Sequence, residues 1–475
     1  MKDTKSLPDR IGQFPEWYQE VVARAELAQP AAVKGCMVIR PYGYALWERI
    51  QAELDSRLKG RGVENAYFPS LIPQSYLARE QSHVEGFSPE CAVVTVAGGD
   101  TLAEPLVVRP TSETIIHASM AGWIQSYRDL PMRLNQWANV VRWERRPRLF
   151  LRNTEFLWQE GHTAHASEEE ARKEALAMAD VYEAFSREVL AIPVVNGTKS
   201  SSERFAGAVD SYSIEGLMPD GKGLQMGTSH YLGDSFSKAA DIKFLDRDSV
   251  SKHPFMTSWG VSTRLIGAIV MVHGDEKGLV LPPSIAPVQV VIVPIGPSTD
   301  AALATYVDAV ESSLKNQGIR VKVDGRDELR PGAKFYRWET RGVPLRIEIG
   351  KRDMEAGVVT LTWRKFFAKA SVPPDGLVGI RGDLHRYQTA LFEAASNSLG
   401  SRIVKPSSLE DALAHLASQA GFIRLNWCGK QACEDVVKKA SGTFRNLPKH
   451  DQDIEGACTI CGDPAVAVVY AAKAY

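Results

Sequence analysis

The chain of 475 residues carries 56 lysines and arginines against 57 aspartates and glutamates, which gives a formal net charge of −1. This balance excludes a protein that coats nucleic acid over its whole surface, but it permits a local basic surface. A chain of this length is too long for one hydrophobic core, so two to four domains are expected. The N-terminus lacks the apolar segment of a secretory signal, and the longest apolar runs are too short to span a bilayer. We therefore expect a cytoplasmic protein that does not enter the membrane.

The first region, residues 1–287, mixes helical patterns with extended stretches that are separated by glycine and proline. The spacing of its apolar residues predicts helices over residues 45–58 and 167–189. The segment LVLPPSIAPV, residues 279–288, interrupts any regular element. We expect the first domain to end there.

The second region, residues 288–400, begins with VQVVIVPIG, a β-branched run typical of a buried strand. A helical stretch follows and ends near Gly318, a residue suited to a helix C-terminus. IRVKVDG, PLRIEIG and VVTLTW are further predicted strands. Strands that alternate with helices indicate a small α/β domain with a mixed sheet.

The third region, residues 401–475, contains a predicted helix, SLEDALAHLASQAG, and then four of the six cysteines. Cys428 and Cys433 form a C-x4-C pair, and Cys458 and Cys461 form a C-x2-C pair. Two such pairs separated by a loop suit a structural Zn²⁺ held by four thiolates. A redox-active C-x2-C pair is the alternative, although no βαβ pattern surrounds it.

The stretch LRNTEFLWQEGHTAH, residues 151–165, is consistent with a metal site, an acid/base cluster or a pocket wall. Strand alternation places Phe156, Trp158, Glu160 and His162 on one face and His165 on the other. Two aromatic rings, an acid and an imidazole fit the wall of a binding pocket. The two histidines of the His-x-x-His spacing then need not converge on one metal.

Arginines surround this stretch. NVVRWERRPRLFLRN, residues 139–153, predicts a loop between antiparallel strands that binds polyanions, with a solvated charge run as the alternative. Arg142 and Glu144, two residues apart, would share one face of a strand. Further on, Arg264 enters an apolar stretch, where a phosphate would compensate its charge. A snorkelling arginine is the other interpretation.

Taken together, these segments resemble the class II aminoacyl-tRNA synthetases. NVVRWE with FLRNTEFLWQEGHTAH resembles their motif 2 in its prolyl-tRNA synthetase version. Residues 40–73 resemble motif 1, and residues 260–283 resemble motif 3. RPTSET (109–114) and QMGTSH (225–230) are also typical of prolyl enzymes. The resemblance covers essentially the whole chain. Because no long insertion separates motifs 2 and 3, the chain resembles the archaeal/eukaryote-like type, which has no inserted editing domain.

The resemblance implies an α+β fold. Its first domain, residues 1–287, would be an antiparallel class II sheet flanked by helices. An α/β anticodon-binding domain, residues 288–400, and a small α+β zinc-binding-like domain, residues 401–475, would follow. Such enzymes are usually homodimers through motif 1.

The implied activity is that of a proline--tRNA ligase. Proline and ATP with Mg²⁺ would give prolyl-adenylate, and the prolyl group would pass to the 3′ end of tRNA(Pro). Two alternatives stay open. One is a non-catalytic or regulatory tRNA-binding paralogue, and the other is an adenylating enzyme that charges a carrier protein.

The resemblance also assigns roles to individual residues, with Arg142 and Arg264 as the catalytic pair. The implied ATP-binding residues are Arg142, Glu144, Arg152, Asn153, Phe156, Gln225, Thr228, Ser262 and Arg264. The implied proline-binding residues are Thr111, Glu113, Arg142, Trp158, Glu160, His162 and His230. The implied anticodon contacts are Glu339, Arg346 and Lys351, and the implied zinc ligands are Cys428, Cys433, Cys458 and Cys461.

Two features near the C-terminal half complete the comparison with the family pattern. Tyr475 resembles a C-terminal tyrosine that packs back towards the catalytic domain. VVTLTWRKFFAKASV, residues 358–372, departs from the pattern, which has a more charged turn with arginine and aspartate at this place. A drifted surface loop is one explanation, and an altered contact with tRNA is the other.

Overall fold

A computed structural model describes residues 6–77, 91–297, 299–419 and 421–475. Helices with defined ends in these residues are α1 Phe14–Arg24, α2 Pro41–Lys59, α3 Glu113–Trp123, α4 Glu168–Glu188, α5 Ser235–Ala239, α6 Arg264–His273, α7 Ala301–Asn316, α8 Pro331–Thr340, α9 Lys351–Glu355, α10 Ile380–Gly400, α11 Leu409–Ser418 and α12 Gln431–Lys439. Two long helices begin as their sequences suggest. Pro41 is the first residue of α2, a position where a backbone N–H has no acceptor within the helix, so the lack of an N–H in proline costs no hydrogen bond. Ser167 caps α4 by accepting from the Glu170 backbone N–H.

The strands fall into two groups along the chain. Those of the first region are β1 Ala28–Pro30, β2 Met37–Ile39, β3 Glu64–Asn65, β4 Leu71–Pro73, β5 Ala92–Ala97, β6 Asp100–Val108, β7 Met132–Val141, β8 Glu155–His165, β9 Val195–Thr198, β10 Asp210–Leu217, β11 Gly223–Gly233, β12 Phe244–Leu245, β13 Ser251–Lys252 and β14 Phe255–Ser262. Those that follow are β15 Val290–Ile295, β16 Val321–Val323, β17 Leu345–Gly350, β18 Val359–Trp363, β19 Ala370–Val372, β20 Ile403–Val404, β21 Phe422–Trp427, β22 Thr443–Pro448 and β23 Ala467–Ala472.

The main sheet has the strand order β3-β7-β8-β14-β11-β10-β9-β22-β23-β21-β20. From β7 through β9 every neighbouring pair is antiparallel, which confirms the predicted antiparallel sheet. Strand β22 pairs with β9, so the strands of the third region extend the same sheet. The third region is therefore joined to the first by backbone hydrogen bonds.

The second region forms its own sheet, in the order β16-β15-β17-β18-β19. Strand β15 is parallel to both β16 and β17, whereas β18 and β19 run antiparallel to their neighbours. This mixed sheet confirms the predicted α/β arrangement. Its apolar face has a separate core, in which Val290, Ile292 and Ile347 are fully buried.

Helix α6 runs through the core of the first region and carries Arg264 as its first residue. Residues 265–271 of this helix are all buried, because the sequence is apolar on every side. Trp17 of α1 and Trp47 of α2 belong to the same core. None of the helices in the described ranges combines the length and hydrophobicity that crossing a membrane requires.

Candidate functional site

A pocket opens over one face of the central strands β8, β14 and β11. Alternate residues of a strand face the same side, so β8 presents its even-numbered side chains there. Glu160 lies opposite Gly260 of β14, which lies opposite Thr228 of β11. His162 lies opposite Ser258, which lies opposite His230. Because Gly260 has no side chain, the floor between Glu160 and Thr228 stays open.

The pocket brings together residues from distant parts of the sequence. The predicted site residues that line it are Thr111, Glu113, Arg142, Phe156, Trp158, Glu160, His162, Gln225, Thr228, His230, Ser262 and Arg264. Lining residues that the sequence analysis missed include Lys199, Glu203, Arg204, Phe205 and Ser211.

Glu160 is the centre of a buried hydrogen-bond network. Its carboxylate accepts from the Ser112 hydroxyl, from the Ser112 backbone N–H at 3.2 Å and from Gln136 Nε2 at 2.9 Å, and it lies 3.1 Å from His162 Nε2. Burial alone would raise the pKa of Glu160, but the bonds from His162, Ser112 and Gln136 outweigh it and hold the pKa below its ordinary value. Glu160 is therefore held as a carboxylate inside the pocket.

The histidines at 162 and 165 do not converge, as the strand alternation predicted. His165 lies on the other face, with its Nε2 2.8 Å from the hydroxyl of Thr163. The groups that do converge are Glu113, Glu160 and His162, whose ligand atoms lie within 4.8 Å of one another. Two carboxylates and an imidazole in one corner can hold a cation, either a metal ion or the ammonium group of an amino acid.

Arg142 and Arg264 both line the pocket. Arg142 Nε donates to the Pro110 carbonyl at 2.8 Å, and its guanidinium carbon lies 5.1 Å from the centre of the Trp158 ring. Arg264 donates to the carbonyls of Leu151 at 3.3 Å and Gln225 at 3.2 Å. Neither guanidinium pairs with a carboxylate in the described part of the chain.

The surroundings of these arginines favour an anionic ligand. Enclosure by protein lowers the pKa of Arg264 to about 10, and repulsion from Arg142 and Arg152 adds to that effect. Desolvation also lowers the pKa of Arg142, although this residue is exposed at the pocket, and Glu113 and Glu160 partly offset the effect. Two neighbouring guanidinium groups without counter-charges are suited to bidentate hydrogen bonds with phosphate.

A buried ionic cluster lies behind the pocket and reaches into the third region. Lys199 Nζ lies 2.9 Å from Glu215, and Arg445 Nη2 of β22 lies 2.6 Å from the other oxygen of the same carboxylate. All three side chains are buried, and Glu215 is fully inaccessible. Burial raises the pKa of Glu215, but the two cations lower it more strongly, so the carboxylate stays ionised. The sequence offered no signal for this cluster, since 230 positions separate Glu215 from Arg445.

Three predicted ATP-binding residues lie in the loop between β7 and β8, and they do not line the pocket. The expectation that Arg142 and Glu144 share a strand face is wrong, because β7 ends at Val141 and both lie in the loop. Glu144 accepts from the Arg146 backbone N–H at 2.8 Å. Arg152 donates to the main-chain oxygen of Tyr475 at 3.1 Å, and Asn153 is buried.

The C-terminal residue lies against the first region. The Tyr475 backbone N–H donates to the Gly223 carbonyl at 3.2 Å, and Lys222 Nζ lies 5.1 Å from the centre of the Tyr475 ring. With the bond from Arg152, the chain end is fixed beside β11 and the loop before β8. The resemblance that placed this tyrosine next to the catalytic region thus agrees with its contacts.

The three candidate anticodon residues do not form one cluster. Glu339 and Arg346 line the same crevice, where Arg346 Nη2 lies 2.9 Å from Glu348 and Glu339 lies 3.3 Å from Lys277 of the first region. Lys351 is exposed at the opposite end of β17, about 16 Å from Arg346 at about 3.3 Å of strand per residue.

The four late cysteines come together in space. The sulfur of Cys428 lies 3.6 Å from those of Cys433 and Cys461, and Cys433 lies 3.9 Å from Cys458. Four sulfurs around a tetrahedral Zn²⁺ at about 2.3 Å stand about 3.8 Å apart, so this spacing fits the ion. None of the four forms a disulfide.

Family models match three successive parts of the chain. A class II tRNA synthetase core domain model (G, H, P, S and T) matches residues 95–273, an anticodon-binding domain model matches residues 289–380, and a prolyl-tRNA synthetase C-terminal model matches residues 409–475.

Whole-chain comparisons agree with these matches. The chain is 50% identical to the proline--tRNA ligase of Symbiobacterium thermophilum, with 100% of both chains covered. It is also 50% identical to proline--tRNA ligase 2 of Rhodococcus jostii, with 97% of this chain and 96% of the relative covered. The crystal structure of a prolyl-tRNA synthetase from Cryptosporidium parvum, in complex with halofuginone and AMPPNP, superposes with a TM-score of 0.93. It covers 99% of each chain at 39% identity.

Proposed function

Because the chain belongs to the prolyl-tRNA synthetase family of class II aminoacyl-tRNA synthetases, we propose that it is a ligase that activates L-proline with ATP and transfers the prolyl group to tRNA(Pro). The observation that carries the proposal is one pocket in which two guanidinium groups without carboxylate partners face a cage of carboxylates and aromatic rings. Anionic phosphate fits the first feature, and a cationic, apolar amino acid fits the second.

The proposed proline site is the corner around Glu113 and Glu160. Proline has a secondary ammonium with two N–H donors, which the carboxylate of Glu113 and the hydroxyl of Thr111 can accept. Its apolar ring suits the face of Trp158. His162 positions Glu160 through the bond between them. His230, which lies 2.8 Å from the Ser211 hydroxyl, closes the same side of the pocket.

The proposed ATP site is the opposite half of the pocket. Arg142 binds the α-phosphate and the proline carboxylate, and Arg264 lies over the adenine and reaches the γ-phosphate. Phe156 contacts the other face of the adenine ring, while Gln225, Thr228 and Ser262 complete the nucleotide contacts. The loop residues Glu144, Arg152 and Asn153 are the remaining candidates for this site. These loop residues can contact the nucleotide only if the loop approaches it.

The reaction requires placement of the reactants and stabilisation of charge, without a nucleophilic side chain. The proline carboxylate attacks the α-phosphorus, and pyrophosphate leaves on the opposite side. Negative charge grows on the phosphoryl oxygens, and Arg142 and Arg264 stabilise it there. ATP-dependent enzymes of this class use Mg²⁺ with the nucleotide, and it would neutralise phosphate charge. The 3′-terminal ribose of tRNA(Pro) then attacks the prolyl carbonyl and releases AMP.

We propose that the second region reads the anticodon through Glu339, Arg346 and Lys351. Unstacked bases of a loop expose edges that such donors and acceptors recognise. The division into residues 1–287, 288–400 and 401–475 is supported by the successive family matches and by the separate cores of the second and third regions. We further propose a homodimer through residues 40–73, where Tyr44, Tyr67 and Leu71 are exposed. Analytical ultracentrifugation tests it, and a monomer at micromolar concentration would contradict it.

The proposed zinc site comprises Cys428, Cys433, Cys458 and Cys461. Four thiolates leave no coordination position for substrate, so the ion would stabilise the third region without taking part in the reaction. Metal analysis of freshly purified, reduced protein should find about one zinc per chain, since four thiolates make one closed site. A preparation that is fully active and free of metal would contradict this proposal.

The function is tested by ATP–pyrophosphate exchange with proline, alanine and cysteine side by side, followed by charging of tRNA(Pro). The proposal expects exchange that depends on proline and charging of tRNA(Pro). Absence of proline-dependent exchange would refute it and leave a tRNA-binding paralogue. Exchange without tRNA charging would instead indicate a ligase that charges a carrier protein.

A further inference from the structure

The turn between β18 and β19, residues 364–369, is the junction turn, and it belongs to the segment that departs from the family pattern. The Arg364 backbone N–H donates to the Pro344 carbonyl at 2.8 Å, and Phe366 has a positive φ of 70°. This left-handed conformation is unfavourable for a bulky residue and needs support from its surroundings. The turn is therefore shaped by its contacts, unlike a drifted surface loop.

The Arg364 side chain forms a buried ion pair with the first region. Its Nη1 and Nη2 atoms donate to the two carboxylate oxygens of Asp275 at 2.9 Å and 2.5 Å, and its Nε donates to the Glu339 carbonyl at 2.9 Å. Arg364 and Asp275 are each 8% exposed. All three donor positions of the guanidinium are used, so its orientation is fixed.

Asp275 follows the end of α6 by two residues and is itself anchored. Its carboxylate accepts from the Lys277 backbone N–H at 2.9 Å, and its carbonyl accepts from Trp17 Nε1 at 3.0 Å. The other end of α6 is Arg264, about 15 Å away at about 1.5 Å per helical residue. A single rigid helix thus runs from the ion pair to the pocket.

Apolar contacts around the junction turn accompany the ion pair. Trp363 stacks on Tyr387 of α10 at 5.7 Å, and Phe367 meets Trp363 edge-on at 5.1 Å. Ala191 and Val280 of the first region are fully buried in the same cluster. Trp363 and Phe367, beside Arg364, therefore contribute to the contact between the first and second regions.

We propose that Arg364 is a positioning residue that holds the anticodon-binding region at a fixed distance and orientation from the pocket, through Asp275 and α6. The inference rests on the proposed function, because only charging of a tRNA requires both regions to engage one molecule at once. A bidentate ion pair in which all three guanidinium nitrogens donate specifies orientation, which apolar contacts alone define less sharply. Formation of prolyl-adenylate takes place within the first region and does not require that spacing.

The test compares Arg364→Met with Arg386→Met. Arg386 of α10 pairs with Asp383, but its side chain is 73% exposed and lies outside both proposed binding sites, so this variant is the matched control. For Arg364→Met we expect proline-dependent exchange within about twofold of the unaltered protein. We expect kcat/KM for tRNA charging to fall at least about tenfold, since misplacing reactants by about 1 Å can cost a factor of about 10². The control should charge normally.

A second variant separates positioning from folding. Arg364→Met leaves the buried Asp275 carboxylate without its counter-charge, which lowers the free energy of unfolding. Adding Asp275→Asn removes that charge while an oxygen remains for the Lys277 backbone. We expect this double variant to regain stability and to remain defective in tRNA charging.

Three outcomes are decisive. Normal charging by Arg364→Met overturns the inference, and so does a double variant that regains charging together with stability. A double variant that is stable, active in exchange and slow in charging supports it. If the unaltered protein shows no proline-dependent exchange, the proposed function itself fails. This result is distinguishable from the three outcomes above, because it does not depend on any variant.

Discussion

Arg142 and Arg264 in the pocket have no carboxylate partner among the residues that the structure describes, whereas Arg364 and Arg445 are each paired with a buried carboxylate of another region. Arg142 is exposed and Arg264 is half-buried at the pocket, whereas Arg364 and Arg445 are buried. The same side chain therefore has two uses. An accessible, unpaired guanidinium in a concave site is available for a ligand, and an enclosed, paired one holds regions of the chain together.

The largest expected effect is on activity. Arg142→Ala should lower proline-dependent exchange at least about 10²- to 10³-fold, because the variant loses a donor that stabilises charge in the transition state. Folding should change little, since among the described residues the Arg142 side chain has one hydrogen bond, to the Pro110 carbonyl. Exchange kinetics and a denaturation curve measure the two quantities. Near-normal exchange would refute the role assigned to Arg142.

For the buried, paired arginines, the comparison predicts that removing the partner lowers stability. Glu215→Gln leaves Lys199 and Arg445 buried without their counter-charge and should lower the free energy of unfolding by about 3–5 kcal/mol. Urea denaturation followed by circular dichroism measures this change. As a control, Asp383→Asn removes the acid of a surface pair and should have a much smaller effect. Equal effects of the two variants would contradict the account.

The comparison extends to pH through His165 and His273, two buried histidines that have no carboxylate partner in the described part of the chain. Burial lowers the pKa of His165 to about 3 and that of His273 to about 4. Between those values and the ordinary pKa, the unfolded chain binds protons that the folded chain does not. Stability should therefore fall as pH decreases below about 6.5, by up to about 1.4 kcal/mol per pH unit for each such histidine.

His273→Gln tests this pH dependence, because glutamine can still donate to the Leu190 carbonyl that lies 2.8 Å from His273 Nε2. The variant should show a shallower loss of unfolding free energy between pH 6.5 and pH 5 than the unaltered protein, by the contribution of one group. An unchanged slope would indicate that His273 takes up its proton equally in both states.

The smallest effect is expected where an ion pair is neither buried nor in the pocket. Lys173 and Glu169 pair on the exposed side of α4, with side chains 74% and 78% exposed. Solvent screens such pairs, so Lys173→Met should leave the urea midpoint unchanged within error. A clear shift would show that exposure does not separate the structural from the dispensable charges in this protein.

Local patterns in the sequence predicted much of the fold and part of the site. The helix expected over residues 167–189 is α4, and strand alternation placed Glu160 and His162 on the pocket face. Both follow from the residues themselves. Contacts across the sheet did not follow, because the pairing of β9 with β22 that brings Arg445 to Glu215 depends on the order of all strands.

Two further differences have equally specific causes. Arg142 and Glu144 were expected on one strand face, but the chain leaves the sheet at Val141, and a strand end cannot be read from alternation. The sequence of the segment from 358 to 372 is consistent with a drifted loop or with an altered tRNA contact. Its contact with Asp275, 89 positions away in sequence, became visible only in the fold.

The most direct test of the comparison is the shift in unfolding temperature that ATP with Mg²⁺ produces in Arg264→Met and in Arg364→Met. Ligand bound only by the folded state stabilises it by about 2.7 kcal/mol at a hundredfold excess over Kd. The account predicts that Arg264→Met unfolds near the temperature of the unaltered protein and loses the ATP-induced rise. Arg364→Met should unfold at a lower temperature and keep that rise. An ATP-induced rise retained in Arg264→Met and lost in Arg364→Met would contradict the account.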